Sequence, residues 1–99
     1  MNKIHRYMIF GGAKDVSLMM RLNAQPLDII FEENNTVNIM VLENEEAELV
    51  NKRLYIRGPD ESVPEYAEYV GRYQDGDHYW FVFEDTRDYR TKSMLAPVN

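Results

Sequence analysis

The only two histidines of this chain are His5 and His78, and it has no cysteine. Thiolate metal sites, thiol nucleophiles and disulfides are therefore excluded. The densest gathering of groups able to do chemistry is "EYVGRYQDGDHYWFVFED" (68–85), where Asp75, Asp77 and His78 surround Gly76. A metal ion needs three or four converging ligands. A general acid or base needs burial to move its pKa. The tip of a hairpin offers neither, since its side chains are solvated and point apart. His78 is expected at the surface against Tyr73, and His5 opens a strand with no acid near it in sequence. The calcium-loop spacing of acids, glycine and a distant glutamate is absent.

Gly11-Gly12 with Lys14 invites a phosphate-loop reading, but the Walker and dinucleotide patterns require further glycines and a following helix. Here "VSLMMRL" follows, which alternates as a strand does. Ser17, Ser62 and Ser93 stand in no nucleophile-elbow context. Glu32-Glu33 and Glu45-Glu46 are adjacent pairs, so their carboxylates diverge on any regular backbone. No catalytic residue, metal ligand or cofactor is assigned, and the chain is expected not to be an enzyme.

The elements that must carry these residues read as strands. "HRYMIF" (5–10) runs into the Gly11-Gly12 turn. Val16, Leu18, Met20 and Leu22 share one face of the next strand. "NAQP" breaks it. Leu27, Ile29 and Phe31 form the inner face of a third strand, Asn34-Asn35 supplies a turn, and Val37, Ile39 and Val41 return inward with Thr36 and Asn38 outward. To this point the pattern predicts an antiparallel meander. Asn44 followed by Glu45 and Glu46 has the form of a helix start, so a short helix is expected near 45–52, leading into the strand "RLYIR". "GPDESVPE" (58–65) is a loop, and the tail from 86 to 99, which has no clear period, is expected to be a flexible segment or one packed over a sheet edge.

The closing hairpin is the most readable element. Asp75-Gly76 is a favoured pair for a two-residue type I′ turn. That register sets Tyr73 opposite His78, Gly71 opposite Trp80 and Tyr69 opposite Val82. One face then carries Val70, Phe81 and Phe83, the other Tyr69, Tyr73, Trp80 and Val82. Tyrosine and tryptophan are favoured interface anchors. The fold expected is α+β and predominantly β. It is a single domain over 1–99, with a small antiparallel sheet or partly closed barrel of five to six strands and at most one short helix.

Seventeen acids against eleven bases leave a net charge of −6, which disfavours direct contact with nucleic acid. From Asn23 to Asn51 there are seven acids and no lysine or arginine. No apolar run reaches the length of a membrane span, and the first residues lack the apolar core of a signal peptide. The expected location is cytoplasmic.

Two stretches, "YMIFGGAKDV" (7–16) and "YVGRYQDGDHYWFVFE" (69–84), resemble small phage-encoded proteins with a glycine-glycine-proline-x-aspartate-glycine turn after the first strand and a tyrosine-rich hairpin near the end. Ala13 and Val16 depart from that pattern at its proline and its last glycine. The resemblance implies an accessory protein made in a bacterial host cytoplasm, of a kind that binds and blocks a host enzyme.

The expected function is thus an acidic, non-enzymatic binding protein acting on a host protein with a basic surface. Glu32, Glu33, Glu43, Glu45, Glu46 and Glu48 would form one exposed face able to imitate phosphates, with Tyr69, Tyr73 and Trp80 as aromatic anchors. Two alternatives belong to other classes. One is a nucleotide-like ligand stacked by Tyr66, Tyr69, Tyr73 and Trp80 and held by Arg72, joined by Arg53 and Arg57. The other is a structural homo-oligomer pairing exposed strand edges.

Overall fold

The structure, a computed structural model, describes residues 1–87. Its elements are β1 (Asn2–Phe10), β2 (Asp15–Arg21), β3 (Gln25–Glu32), β4 (Thr36–Asn44), β5 (Leu49–Arg57), β6 (Ala67–Asp75) and β7 (His78–Asp85). They form two antiparallel sheets, a three-stranded one in the order β1-β4-β3 and a four-stranded one in the order β2-β5-β7-β6. The domain is predominantly β, as the alternation predicts. Among the described residues it has seven strands rather than five or six, in two open sheets rather than one small sheet or a partly closed barrel.

Period-2 alternation specifies which side of a strand is apolar but not which strand lies beside it. This is why the expected meander fails over the first three strands. The chain leaves β1 through a turn closed by Ala13 N–H to the Phe10 carbonyl (3.3 Å), with Gly12 at φ 89°. It then joins the opposite sheet, where β2 pairs with β5. Asn23, at φ 64°, turns it back to β3. Only then does a hairpin follow, β3 to β4, through a turn in which Asn35 takes φ 63°. β1 closes this sheet on the other side of β4, with Tyr7 opposite Ile39 and Ile9 opposite Val37.

The inward rows are Ile9 (β1), Ile29 (β3) and Val37, Ile39 and Val41 (β4) from one sheet. Met20 (β2), Leu54 and Ile56 (β5), Tyr73 (β6) and Val82 (β7) come from the other. Phe31 and Tyr73 stack across the gap with centroids 5.7 Å apart. A bulge between Pro26 and Asp28 shifts the parity of β3, so Pro26 turns inward and Leu27, expected inside, is exposed.

The helix expected over 45–52 is a turn followed by β5. Asn44 does accept the Glu46 N–H through Oδ1 (3.0 Å) and the Ala47 N–H through its carbonyl (3.0 Å), as a helix cap would. The first turn does not propagate, because Val50, Lys52, Leu54 and Ile56 are all buried as the inner row of a strand. The expectation for the tail falls, beyond Arg87, outside the described residues.

Candidate partner-binding surfaces

The β6–β7 hairpin closes one pair later than the dipeptide Asp75-Gly76 predicts. Asp75 pairs with His78, so the turn residues are Gly76 and Asp77. Of these only Gly76 has positive φ (59°), which is the type II′ pattern with glycine first. A bulge between Tyr69 and Gly71 then exchanges the sides expected for Tyr69 and Val70. Tyr73, Trp80 and Val82 share the inner face, whereas Tyr69 joins Phe81 and Phe83 outside.

Gly71 stands opposite Val82, not Trp80. Its bare Cα lies beneath Ile29 of the other sheet, where a Cβ would come within 3.0 Å of the Ile29 side chain. Trp80 is half-buried. Lys14 Nζ lies 4.8 Å from its ring centre and Gly58 is beside it, while His78 stacks on it at 6.3 Å rather than on Tyr73.

What the hairpin presents outward is a small aromatic platform on the four-stranded sheet. Tyr69 is 59% exposed and Tyr79 41%. Tyr69 meets Phe83 edge-on at 5.8 Å, and the Arg72 guanidinium lies 5.8 Å from the Tyr79 ring. Asp75 and Asp77 are exposed at the tip. Tyr73 and Trp80 point the other way, and Tyr66 lies at the far end of β6 beneath Arg87. Of the residues proposed to hold a nucleotide, Arg72 and Tyr73 line a common cleft with Ile29, Gln74 and Tyr79, but Tyr66, Tyr69, Trp80, Arg53 and Arg57 do not join them there. Arg57 and Arg72 do flank Phe81 in one row, but Arg57 is engaged by Asp15 (3.1 Å) and the Ser62 carbonyl (3.0 Å).

The acid-rich block is not one face. Glu32 and Glu33 sit at the β3–β4 turn, and Glu45, Glu46 and Glu48 at the β4–β5 turn, all exposed. The nine residues of β4 separate the two groups by about 30 Å.

Glu43 belongs to neither. It is 2% exposed, because its position on β4 continues the inward row of Val37, Ile39 and Val41. Its Oε2 accepts the Tyr7 hydroxyl (2.7 Å) and the Arg21 backbone N–H (3.0 Å), and His5 Nε2 lies 3.8 Å from Oε1. The Arg21 N–H is on the free edge of β2, so Glu43 satisfies an edge donor that would otherwise be lost to the interior. Burial first, and then the bond to Glu43, push the Tyr7 hydroxyl from 10.0 up to about 12.

Two further polar groups lie among strands. Lys52 pairs with Glu84 at 2.9 Å between the sheets. The apolar residues around the pair leave a void of about 10 Å3, about one water. Asp85, fully buried, accepts the Tyr55 hydroxyl (2.7 Å) and the Arg87 N–H (2.9 Å). Burial opposes its charge, but these donors and the Arg87 guanidinium prevail and hold its carboxyl below the ordinary range. Burial, then the bonds to Asp85 and Tyr66, push Tyr55 up to about 12. Among the described residues no three His, Asp or Glu side chains converge as metal ligands.

Sequence reasoning missed a second surface, the outer face of the three-stranded sheet. Ile4, Met8 and Phe10 on β1 and Ile30 on β3 are exposed there. The signal was present in Met8-Ile9-Phe10 and Ile29-Ile30, where consecutive apolar residues make both sides of a strand apolar.

No curated protein and no solved structure matches the chain. A family model does, over residues 1–93, and its description is Domain of unknown function (DUF7352). The chain, whose match takes in every strand of the sandwich, belongs to that family.

Proposed function

We propose that this protein is a non-enzymatic binding domain that modulates a protein partner, docking through the outer face of the β6–β7 hairpin. Its resemblance to phage-encoded accessory proteins makes a host protein the expected partner. The observation that carries the reading is one outward row on the two paired strands, with exposed Tyr69 (opposite Phe83) and exposed Tyr79 (opposite Gln74) at its ends and Arg72 opposite Phe81 between them. Tyrosine and arginine are the side chains on which interface energy concentrates. The acids at the tip favour a basic rim on the partner. The division of the acids of 32–48 between two ends of the molecule favours the aromatic platform over an acidic strand face as the contact.

The test is affinity capture from bacterial lysate with the wild-type chain and with the Tyr69→Ala/Tyr79→Ala variant, at low and high salt. A stoichiometric partner held by the wild type and lost by the variant is expected. Equal capture by both would remove the platform from the interface. Both substitutions are on the outer face, so circular dichroism should show the sandwich intact.

A further inference from the structure

We infer that the outer face of the three-stranded sheet is a self-association surface, on which a second copy of this chain packs about a two-fold axis running along β4. This is a different face from the one proposed for the partner, and it stands or falls separately.

The face is ordered in rows across the sheet. Ile4, Leu42 and Gln25 form one row, and Arg6, Met40 and Asp28 the next. Met8, Asn38 and Ile30 follow, and Phe10, Thr36 and Glu32 close the set. Ile4, Met8, Phe10 and Ile30 are 46–74% exposed. Their accessible surface is on the order of 400–500 Å2, within the range of the largest patch on ordinary monomers, which is often functional. A standard interface covers about 800 Å2 per partner, so the polar rim of the face must supply the remainder.

What selects a second copy is the charge pattern. Base and acid stand at opposite edges of one row: Arg6 on β1 and Asp28 on β3, both opposite Met40. A two-fold axis along the central strand lays β1 of one copy over β3 of the other. Arg6 then meets Asp28 of the other copy twice, Met8 meets Ile30 twice, and the Met40 side chains meet on the axis. An unrelated partner would have to reproduce this pattern, whereas a second copy has it already.

Asn38 gives an independent indication. It is 3% exposed on this face, and its Nδ2 donates to Glu32 Oε1 at 2.6 Å, which fixes the orientation of the amide. Its Oδ1 is buried with no hydrogen-bond partner, an arrangement that costs stability unless something supplies a donor. Asn38 lies on β4, hence at the axis. A donor from the second copy reaches this oxygen only if Met8 and Ile30, which flank Asn38 in its row, part as the two faces close.

The experiment is sedimentation velocity on the full chain over a concentration series, with Arg6→Asp and Asp28→Arg prepared separately and then mixed. The wild type is expected to dimerise. Each single variant faces like charges twice across the axis, and its dimer should weaken at least ~10-fold. An equimolar mixture should recover dimers near wild-type affinity. In the mixed dimer the side chain at position 6 of either copy again meets one of opposite sign at position 28 of the other. That recovery also shows that both variants fold. A wild type monomeric at every concentration, single variants that dimerise as the wild type does, or a mixture that stays monomeric would each overturn the assignment.

Discussion

The polar side chains placed inside this sandwich act mainly as acceptors that satisfy donors the strands leave behind. Glu43 serves the edge N–H of β2 and the hydroxyl of Tyr7, and Asp85 serves Tyr55 and the start of the segment after β7. The two tyrosines give this a measurable consequence. Both are pushed from 10.0 to about 12 in the folded protein. In the unfolded chain they ionise near their ordinary value, so the stability they contribute is complete below pH 10 and is lost as pH rises towards 12. Phenolate absorbance should therefore show Tyr7 and Tyr55 ionising late, together with alkaline unfolding. Tyr7→Phe should cost about 1 kcal/mol near neutrality, yet lose less stability than the wild type on the way to pH 12. Identical alkaline losses in the wild type and both phenylalanine variants would count against this account. For Asp85 the sign is opposite. A lowered carboxyl pKa contributes stability above the ordinary carboxylate range and loses it as pH falls through the folded value. Asp85→Asn should flatten the acid limb of the stability curve.

At the scale of elements, the strands were legible and their partners were not. Val37, Ile39 and Val41, or Val16, Leu18 and Met20, declare an inward row whatever lies on either side. The choice between a meander and two sheets depends on whether a turn joins neighbours or crosses the core, and "GGAK" is compatible with both. Where two signals competed, burial prevailed. Asn44 begins a cap, but the apolar row of β5 stops a helix from forming. The hairpin register slipped by one pair because glycine at the first turn position satisfies a type II′ turn, and the bulge at Val70 then sets Gly71 beneath Ile29. Of the candidate binding residues, Tyr69 is exposed, but the bulge puts it on the side opposite to Tyr73 and Trp80, with which the two-residue turn register groups it. Tyr73 and Glu43 were not legible as core, because polarity hides an inward position that only the register reveals. Lys52 is the sharpest case, a lysine in the inner row of β5. Lys52→Met alone strands Glu84 beside the core and should cost about 3 kcal/mol in chemical denaturation. Lys52→Met with Glu84→Leu should recover most of that loss, since the site is otherwise lined by Met20, Ile39, Val41 and Leu54. A double variant as unstable as the sum of the singles would show that the pair is not coupled.

Over the whole molecule, the sandwich sorts charge by its two ends. The stack of Phe31 on Tyr73 brings the β3–β4 turn to the same end as the hairpin tip, so Glu33, Asp75 and Asp77 share a region with the aromatic platform. Glu45, Glu46 and Glu48 lie about 30 Å away, at the other end of β4. At physiological ionic strength charges act over about 8 Å, so only the first group can contribute strongly at a contact centred on Tyr69 and Tyr79. The salt dependence of partner binding should then follow position and not the number of acids. Replacing Glu33 with glutamine and Asp75 and Asp77 with asparagine should weaken capture at low salt and flatten its response to added salt. Replacing Glu45, Glu46 and Glu48 with glutamine removes the same formal charge and should leave both nearly unchanged. If the second set weakens binding as much as the first, the partner covers the β4–β5 end and the aromatic platform is not the centre of the interface. Equal but weak effects from both sets would point instead to net charge acting at long range, which raising the ionic strength would abolish for both alike.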